Sequence, residues 1–266
     1  MATDDKYLHL KAVQEVAKFL INTDIDRSPP EISTEVHRII REVTNSDDPY
    51  KNIKLEQNQT ALDYYPKLKS MISSSDDRLK TAVKLAIAGN VIDFGTPNRF
   101  DINETIDRIL KTDFSVDSFE NFKNKLDQSS SILYIGDNSG EIVFDRLLVE
   151  QMLDQNDFDM TFAVRSGPII NDATREDAIM VGLDKYAKII EIGTRSPGTV
   201  LGLCTPEFKE CYQSSDLIIA KGQGNYEALD PAPNLFRLLV VKCELVAKDI
   251  GEDVKVGDIV FANRPD

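Results

Sequence analysis

Beyond residue 130 the chain alternates between short β-branched, aliphatic runs and helical patterns, and this alternation limits the fold more than any other feature. The apolar runs fall at 132–135, 160–164, 188–192, 217–220 and 238–241. Runs this short and this continuously apolar suit strands covered on both faces. Helical patterns follow at 140–153, 175–181, 207–214 and 243–250. The alternation predicts a Rossmann-like, mostly parallel sheet flanked by helices, an α/β domain over 129–266.

Upstream the pattern is helix after helix, so 1–128 is expected to form an all-helical N-terminal domain, with the site at the interface. Leu8, Val13, Val16, Ala17 and Leu20 fit one amphipathic helix, and Ile32, Val36, Ile39, Ile40 and Val43 fit a second. Ser28-Pro29-Pro30 separates them, with proline placed to open the second. Further helices are predicted over 61–72, 78–88, 102–110 and 118–126.

Each predicted strand runs into a polar segment. In order these are Gly136-Asp137-Asn138-Ser139-Gly140-Glu141, then Arg165-Ser166-Gly167-Pro168 leading to Asn171-Asp172, then Gly193-Thr194-Arg195, then Lys221-Gly222-Gln223-Gly224-Asn225, and finally Lys242. The carboxyl ends of parallel strands share one edge, where ligands bind, so these segments are expected to face one crevice. The first is neither a dinucleotide fingerprint nor a phosphate-binding P-loop, lacking the glycine and lysine spacing of both. Just past a strand end, Asp137 and Asn138 can aim their oxygens at one point, with Asp172 as a third. Carboxylates plus an amide oxygen suit a hard divalent cation. Helix capping by Asp, Asn and Ser is the competing explanation for that segment alone. Lys221 and Lys242, with Arg165, would supply local positive charge, and Gly222 would let backbone N–H groups approach an anion.

The formal charge of −14 argues against a nucleic-acid partner. It also means that an anionic substrate needs a local cation or a metal. Three cysteines, Cys204, Cys211 and Cys243, lack metal-site spacing and read as reduced thiols. His9 and His37 have no nucleophile nearby that would make a catalytic triad. No apolar stretch reaches the length of a membrane span, and the polar start does not read as a secretory signal. The expected location is cytoplasmic, with no membrane partner; the oligomeric state is left open.

The segments GDNSGE, GPIINDAT and KGQGNYE, together with AGNVIDFG at 88–95, resemble the damage-control phosphatases, formerly domain of unknown function 89, in their stand-alone prokaryotic branch. The likeness covers most of the chain, including Ser28-Pro29-Pro30 and Asp48-Pro49-Tyr50. It implies a metal held by Asp137, Asn138 and Asp172, with Mn²⁺ or Mg²⁺ first and Co²⁺ or Ni²⁺ as further candidates. It implies a substrate pocket lined by Glu141, Lys221, Asn225 and Lys242 and closed by Asn90 and Asp93. The implied activity is hydrolysis of a small phosphorylated metabolite, such as a sugar phosphate or a damaged phosphometabolite. Two departures stand out. The stand-alone branch begins with a CxxC segment, whereas no cysteine precedes Cys204 here, and Gln223 stands where eukaryotic relatives carry Asp.

In this reading the cation and Lys221 neutralise charge building on the phosphoryl group. The nucleophile is left open between Asp137 and a water; a trapped acyl phosphate on Asp137 would exclude the water. Two alternatives compete. A carboxyl methyltransferase using S-adenosylmethionine lacks the usual glycine-rich first loop, and a non-catalytic phosphometabolite sensor has no need of the carboxylates.

Overall fold

The computed structural model describes residues 2–24, 26–91 and 102–263. The chain opens with a helical hairpin, α1 (Lys6–Ile21) and α2 (Pro29–Thr44). Pro29 and Pro30 occupy the first turn of α2. The Glu31 carboxylate accepts from the Ser28 N–H at 2.9 Å and from its Oγ at 2.8 Å, closing the helix start. The stripe expected on α1 is only partly covered, since Val13 is 66% and Leu20 48% exposed. The reason is that α1 packs chiefly on α2 rather than on the main core.

Four more helices precede the main sheet: α3 (Lys51–Ser73), α4 (Arg78–Gly89), α5 (Ile102–Lys111) and α6 (Phe119–Asp127). Helix α3 starts well before the 61–72 segment that the sequence predicts. The missed half is polar, yet Lys54, Gln57 and Asn58 in it are buried. Its inward face is polar, so no apolar period betrays it. Helix α4 is buried on nearly all sides from Ala82 to Gly89, as an Ala- and Leu-rich helix inside a core should be.

The sheet contains β1 (Val116–Asp117), β2 (Ser131–Ile135), β3 (Asp159–Val164), β4 (Lys188–Glu191), β5 (Leu217–Lys221), β6 (Leu235–Val240) and β7 (Ile259–Ala262), in the order β1-β7-β6-β5-β2-β3-β4. The five strands expected from the sequence pair parallel throughout, in the order β4-β3-β2-β5-β6. Strand β7 runs antiparallel to β6, and β1 pairs with β7. Of these two, β1 is the edge strand and is only two residues long.

Helices α7 (Glu141–Leu153), α8 (Arg175–Met180), α9 (Pro206–Ser214), α10 (Gly222–Ala228) and α11 (Glu244–Ile250) connect the later strands. One apolar cluster joins α3 to α7 with one sheet face, from Ala61 to Phe261. Smaller clusters cover the other face under α9 and under α11. Register sets Ile135 beside both Ala163 and Ala220. The loops after β2, β3 and β5 therefore emerge side by side, and the strand order reverses between β2 and β5. That reversal marks the ligand crevice of an open parallel sheet.

Candidate active site

Backbone pairing first fixes the loops after β2 and β3 against each other. Asn138 and Asp172 form an antiparallel bridge, Ser139 N donates to Asn171 O at 2.9 Å, and Ala173 N donates to Asp137 O at 2.8 Å. Ile170, a β-branched residue held at φ 45°, marks strain in the turn that delivers Asp172. From the helical side, Asn58 Oδ1 accepts from Gly140 N at 2.7 Å and Gln57 Oε1 accepts from Ser139 Oγ at 3.0 Å.

On this frame the side chains converge. Asn138 Nδ2 donates to Asp137 Oδ2 at 3.0 Å and Glu141 Oε2 at 3.1 Å. Asn90 Nδ2, at the end of α4, donates to the same two oxygens at 3.2 and 3.0 Å. Gly222, at φ 79°, opens α10 directly against Asp137: a Cβ there would lie 1.9 Å from Oδ2. No other residue fits. Arg165, buried, donates from Nε to Asp172 Oδ2 at 2.7 Å, and its Nη2 lies 3.7 Å from Asp137 Oδ1. Its remaining donors reach Thr199 Oγ1 at 3.1 Å and Asn225 Oδ1 at 3.3 Å.

Behind this group lies a second layer. Lys221 Nζ donates to Ala86 O at 2.8 Å, to Glu141 Oε1 at 2.7 Å and to Asp145 Oδ1. Tyr134 OH donates to the same Asp145 oxygen at 2.8 Å.

Four buried carboxylates, Asp137, Glu141, Asp145 and Asp172, thus pair directly with two buried cations among the described residues, Arg165 and Lys221, while Lys54 acts on Asp172 only through space from its own pairs with Asp48 and Asp177. The imbalance shows in their proton affinities. Burial, then repulsion from Glu141 and Asp172, pushes Asp137 well above the usual carboxylate range. Burial raises Asp145 to about 7, against the pull of Lys221. Burial also raises Asp172, with Arg165 opposing. Glu141 alone is lowered: burial works against ionisation, but Lys221 and the Asn90 hydrogen bond outweigh it.

An excess of two buried negative charges suits one divalent cation. Among the described residues no three acidic, histidine or cysteine side chains form a ready-made metal cluster, so amide oxygens must contribute. Asn138 and Asn90 both turn their NH₂ groups toward Asp137 and Glu141. Half a turn of either amide presents its oxygen instead, and Asn90 Oδ1 is already a buried acceptor without a partner. The donor set fits a hard, oxygen-preferring ion.

The family model for the damage-control phosphatase ARMT1-like domain matches residues 1–256. The chain belongs to this family. An uncharacterized protein of Methanocaldococcus jannaschii is 38% identical over 98% of this chain and 89% of its own length. A damage-control phosphatase of Pyrococcus horikoshii is 35% identical over 94% of this chain and 88% of its own. The crystal structure of a DUF89 family protein from P. horikoshii superimposes with a TM-score of 0.89 at 34% identity, covering 99% of this chain and 92% of that one.

Within this damage-control phosphatase fold, the structure gathers Asn90, Asp137, Asn138, Glu141, Arg165, Asp172, Lys221, Gly222 and Asn225 at one point. Asp93 lies outside the described residues. Lys242 is exposed nearby, its N–H held by Gln223 Oε1 at 2.9 Å, and its charge favours ionised Asp137 and Glu141. Two expectations need correction. Lys221 does not face a substrate, because all three of its N–H bonds go to Ala86, Glu141 and Asp145, and it is fully buried. Asn225 is likewise buried and engaged with Arg165, Thr199, Gly136 and its own helix, so it braces Arg165 instead of lining a pocket.

Sequence reasoning missed Asp145, though its spacing of four from Glu141 on one helix was a readable signal. It also missed Thr199 and the Lys54–Asn58–Asp177 group that ties α3 to α8, with Asn58 Nδ2 2.8 Å from Asp177 Oδ1. No local pattern marks those.

Proposed function

We propose that this chain is a divalent-metal-dependent phosphatase acting on a small phosphorylated metabolite. The observation that carries the proposal is the excess of buried carboxylate at the β2–β5 switch point, bridged by two amides that can exchange NH₂ for oxygen. Asp137, Asn138 and Asp172 would hold the ion, as the sequence reading expects, and Glu141 and Asn90 stand close enough to share it. When bound, the ion would supply Lewis-acid stabilisation of charge on the phosphoryl oxygens. The chain's own residues do the rest. Arg165, braced by Thr199 and Asn225, fixes Asp172. Lys221 holds Glu141 ionised and immobile. Exposed Lys242 is, among the described residues, a cation placed to approach an incoming phosphate, and its position at the rim suits electrostatic guidance in an otherwise acidic protein. Mn²⁺ or Mg²⁺ is the first choice, since both accept carboxylate and carbonyl-type oxygen.

The test is hydrolysis of p-nitrophenyl phosphate by EDTA-treated protein before and after adding Mg²⁺, Mn²⁺, Co²⁺ or Ni²⁺. Metal-restored turnover that falls roughly 10³-fold in Asp137→Ala is the expected result. Turnover that is equal with and without metal, or retained in that variant, removes the assignment.

A further inference from the structure

Away from the site, one buried charge has little to hold it. Arg237 on β6 is 4% exposed and points to the sheet face covered by α10 and α11. Its register neighbours, Ala220 and Ala262, are small and leave space beside it. Nη2 donates to Leu229 O at 2.8 Å, whereas Nε has no partner. The Tyr226 ring lies 5.4 Å from Cζ, but the Tyr226 hydroxyl donates to Asp249 at 2.6 Å. Burial lowers the Arg237 pKa, and Tyr226, Tyr212, Asp230 and Asp249 offset this only through space, with no ion pair formed among the described residues. A guanidinium stays charged whatever its surroundings, and a buried charge without a counter-ion is costly.

A cleft of about 540 Å³ opens at this guanidinium, with Leu229, Leu245, Val246 and Ile250 among its walls. Leu245 is 77% exposed at its lip. This size and apolar character suit a small molecule with one charged end. We propose that the cleft binds a small monocarboxylate with an aliphatic or aromatic body, its carboxylate on Arg237 and its body against Leu229, Leu245 and Ile250. A planar carboxylate matches the guanidinium fork. A phosphate dianion is disfavoured, because Glu227 and Asp249 also border the cleft and Arg237 is the one cation among the described residues that line it. The cleft shares no residue with the candidate active site and does not depend on the phosphatase reading.

The test is calorimetric titration of the full chain, kept in EDTA, with hexanoate and benzoate. Hexanamide, benzamide and inorganic phosphate serve as comparators. The expected result is saturable binding of at least one carboxylate at one site per chain. Arg237→Met and Leu245→Glu should each weaken it about tenfold or more, and the matching amide should bind about tenfold more weakly. Leu245 is at the surface, so its variant reports on the cleft even where Arg237→Met perturbs folding. Three results would overturn the proposal: no saturable binding of either carboxylate, binding unchanged in Leu245→Glu and in folded Arg237→Met, or phosphate binding as tightly as the carboxylates at the same place.

Discussion

At the scale of single residues, the site depends on contacts too close to alter. Gly222 touches Asp137 where a Cβ would overlap the carboxylate, and its backbone is left-handed. Gly222→Ala should therefore lower stability by about 1–2 kcal/mol and phosphatase turnover by roughly 10²-fold or more. Parallel melting and p-nitrophenyl phosphate assays check this; near-parental turnover would mean that the Asp137 position is not the reacting one. Asp145 makes a different prediction. Its folded value of about 7 lies above the 3.8 of an unperturbed Asp. Between those values the folded state holds a proton that the unfolded state has lost, so this group's contribution to stability falls as pH rises through that window. Asp145→Asn removes the slope, which is about 1.4 kcal/mol per pH unit at most. The stability of the variant relative to the parent should rise from pH 5 to pH 7, as read from denaturant midpoints at both. A relative stability that stays flat over that range would mean that Lys221 holds Asp145 ionised throughout. Asp137, Asn138, Asp172, Glu141 and Gly222 were legible in the sequence because each follows an apolar strand. The true surroundings of Lys221 were not, because the acceptors that saturate it, Ala86 and Asp145, come from helices whose packing no local pattern records.

At the scale of elements, α3 is the support of the loop after β2. Asn58 accepts from Gly140 N and donates to Asp177, both buried. Asn58→Ala would strand Gly140 N, at about 1–3 kcal/mol, and would take one donor from Asp177, which keeps Lys54 and Thr174. The expected outcome is a loss of about 2–4 kcal/mol in unfolding free energy, with lowered turnover because Asn138 and Glu141 flank the freed loop. Urea denaturation and the same activity assay measure both; a loss below about 0.5 kcal/mol would place water, not Asn58, as the working partner of Gly140. This helix also marks where sequence reading stops. The five parallel strands announced themselves through continuous apolar runs, and most helices through a 3.6-residue period. The polar half of α3 gave no period because its buried side chains are Lys54, Gln57 and Asn58. Helix α10 is not among the predicted helices because two of its seven residues are glycine. Tertiary contact overrides propensity there: the same glycine that weakens the helix lets its start press on Asp137.

At the scale of the whole molecule, the arrangement of the core bears on how the chain unfolds. A helical segment and an α/β segment joined only at a polar site would melt separately, as weakly coupled units do. Here the apolar cluster continues from Ala61 on α3 through Leu85 on α4 and Phe144 on α7 to Phe261 on β7. The polar contacts of the site lie beside that cluster and tie the same elements together. Breaking the site without breaking the core would leave four buried carboxylates facing apolar surface, and parting the core would expose α4, which is buried on nearly all sides. Neither half gains by leaving first. Scanning calorimetry should therefore show a single main transition for α3 through β7, with a van't Hoff enthalpy close to the calorimetric one. Helix α1 is the exception, since Ala12 is its one buried residue. Its amides should exchange with solvent faster than those of α4. Two resolved heat peaks of comparable area would mean that the helices and the sheet hold separate cores, and that the site is the joint between them.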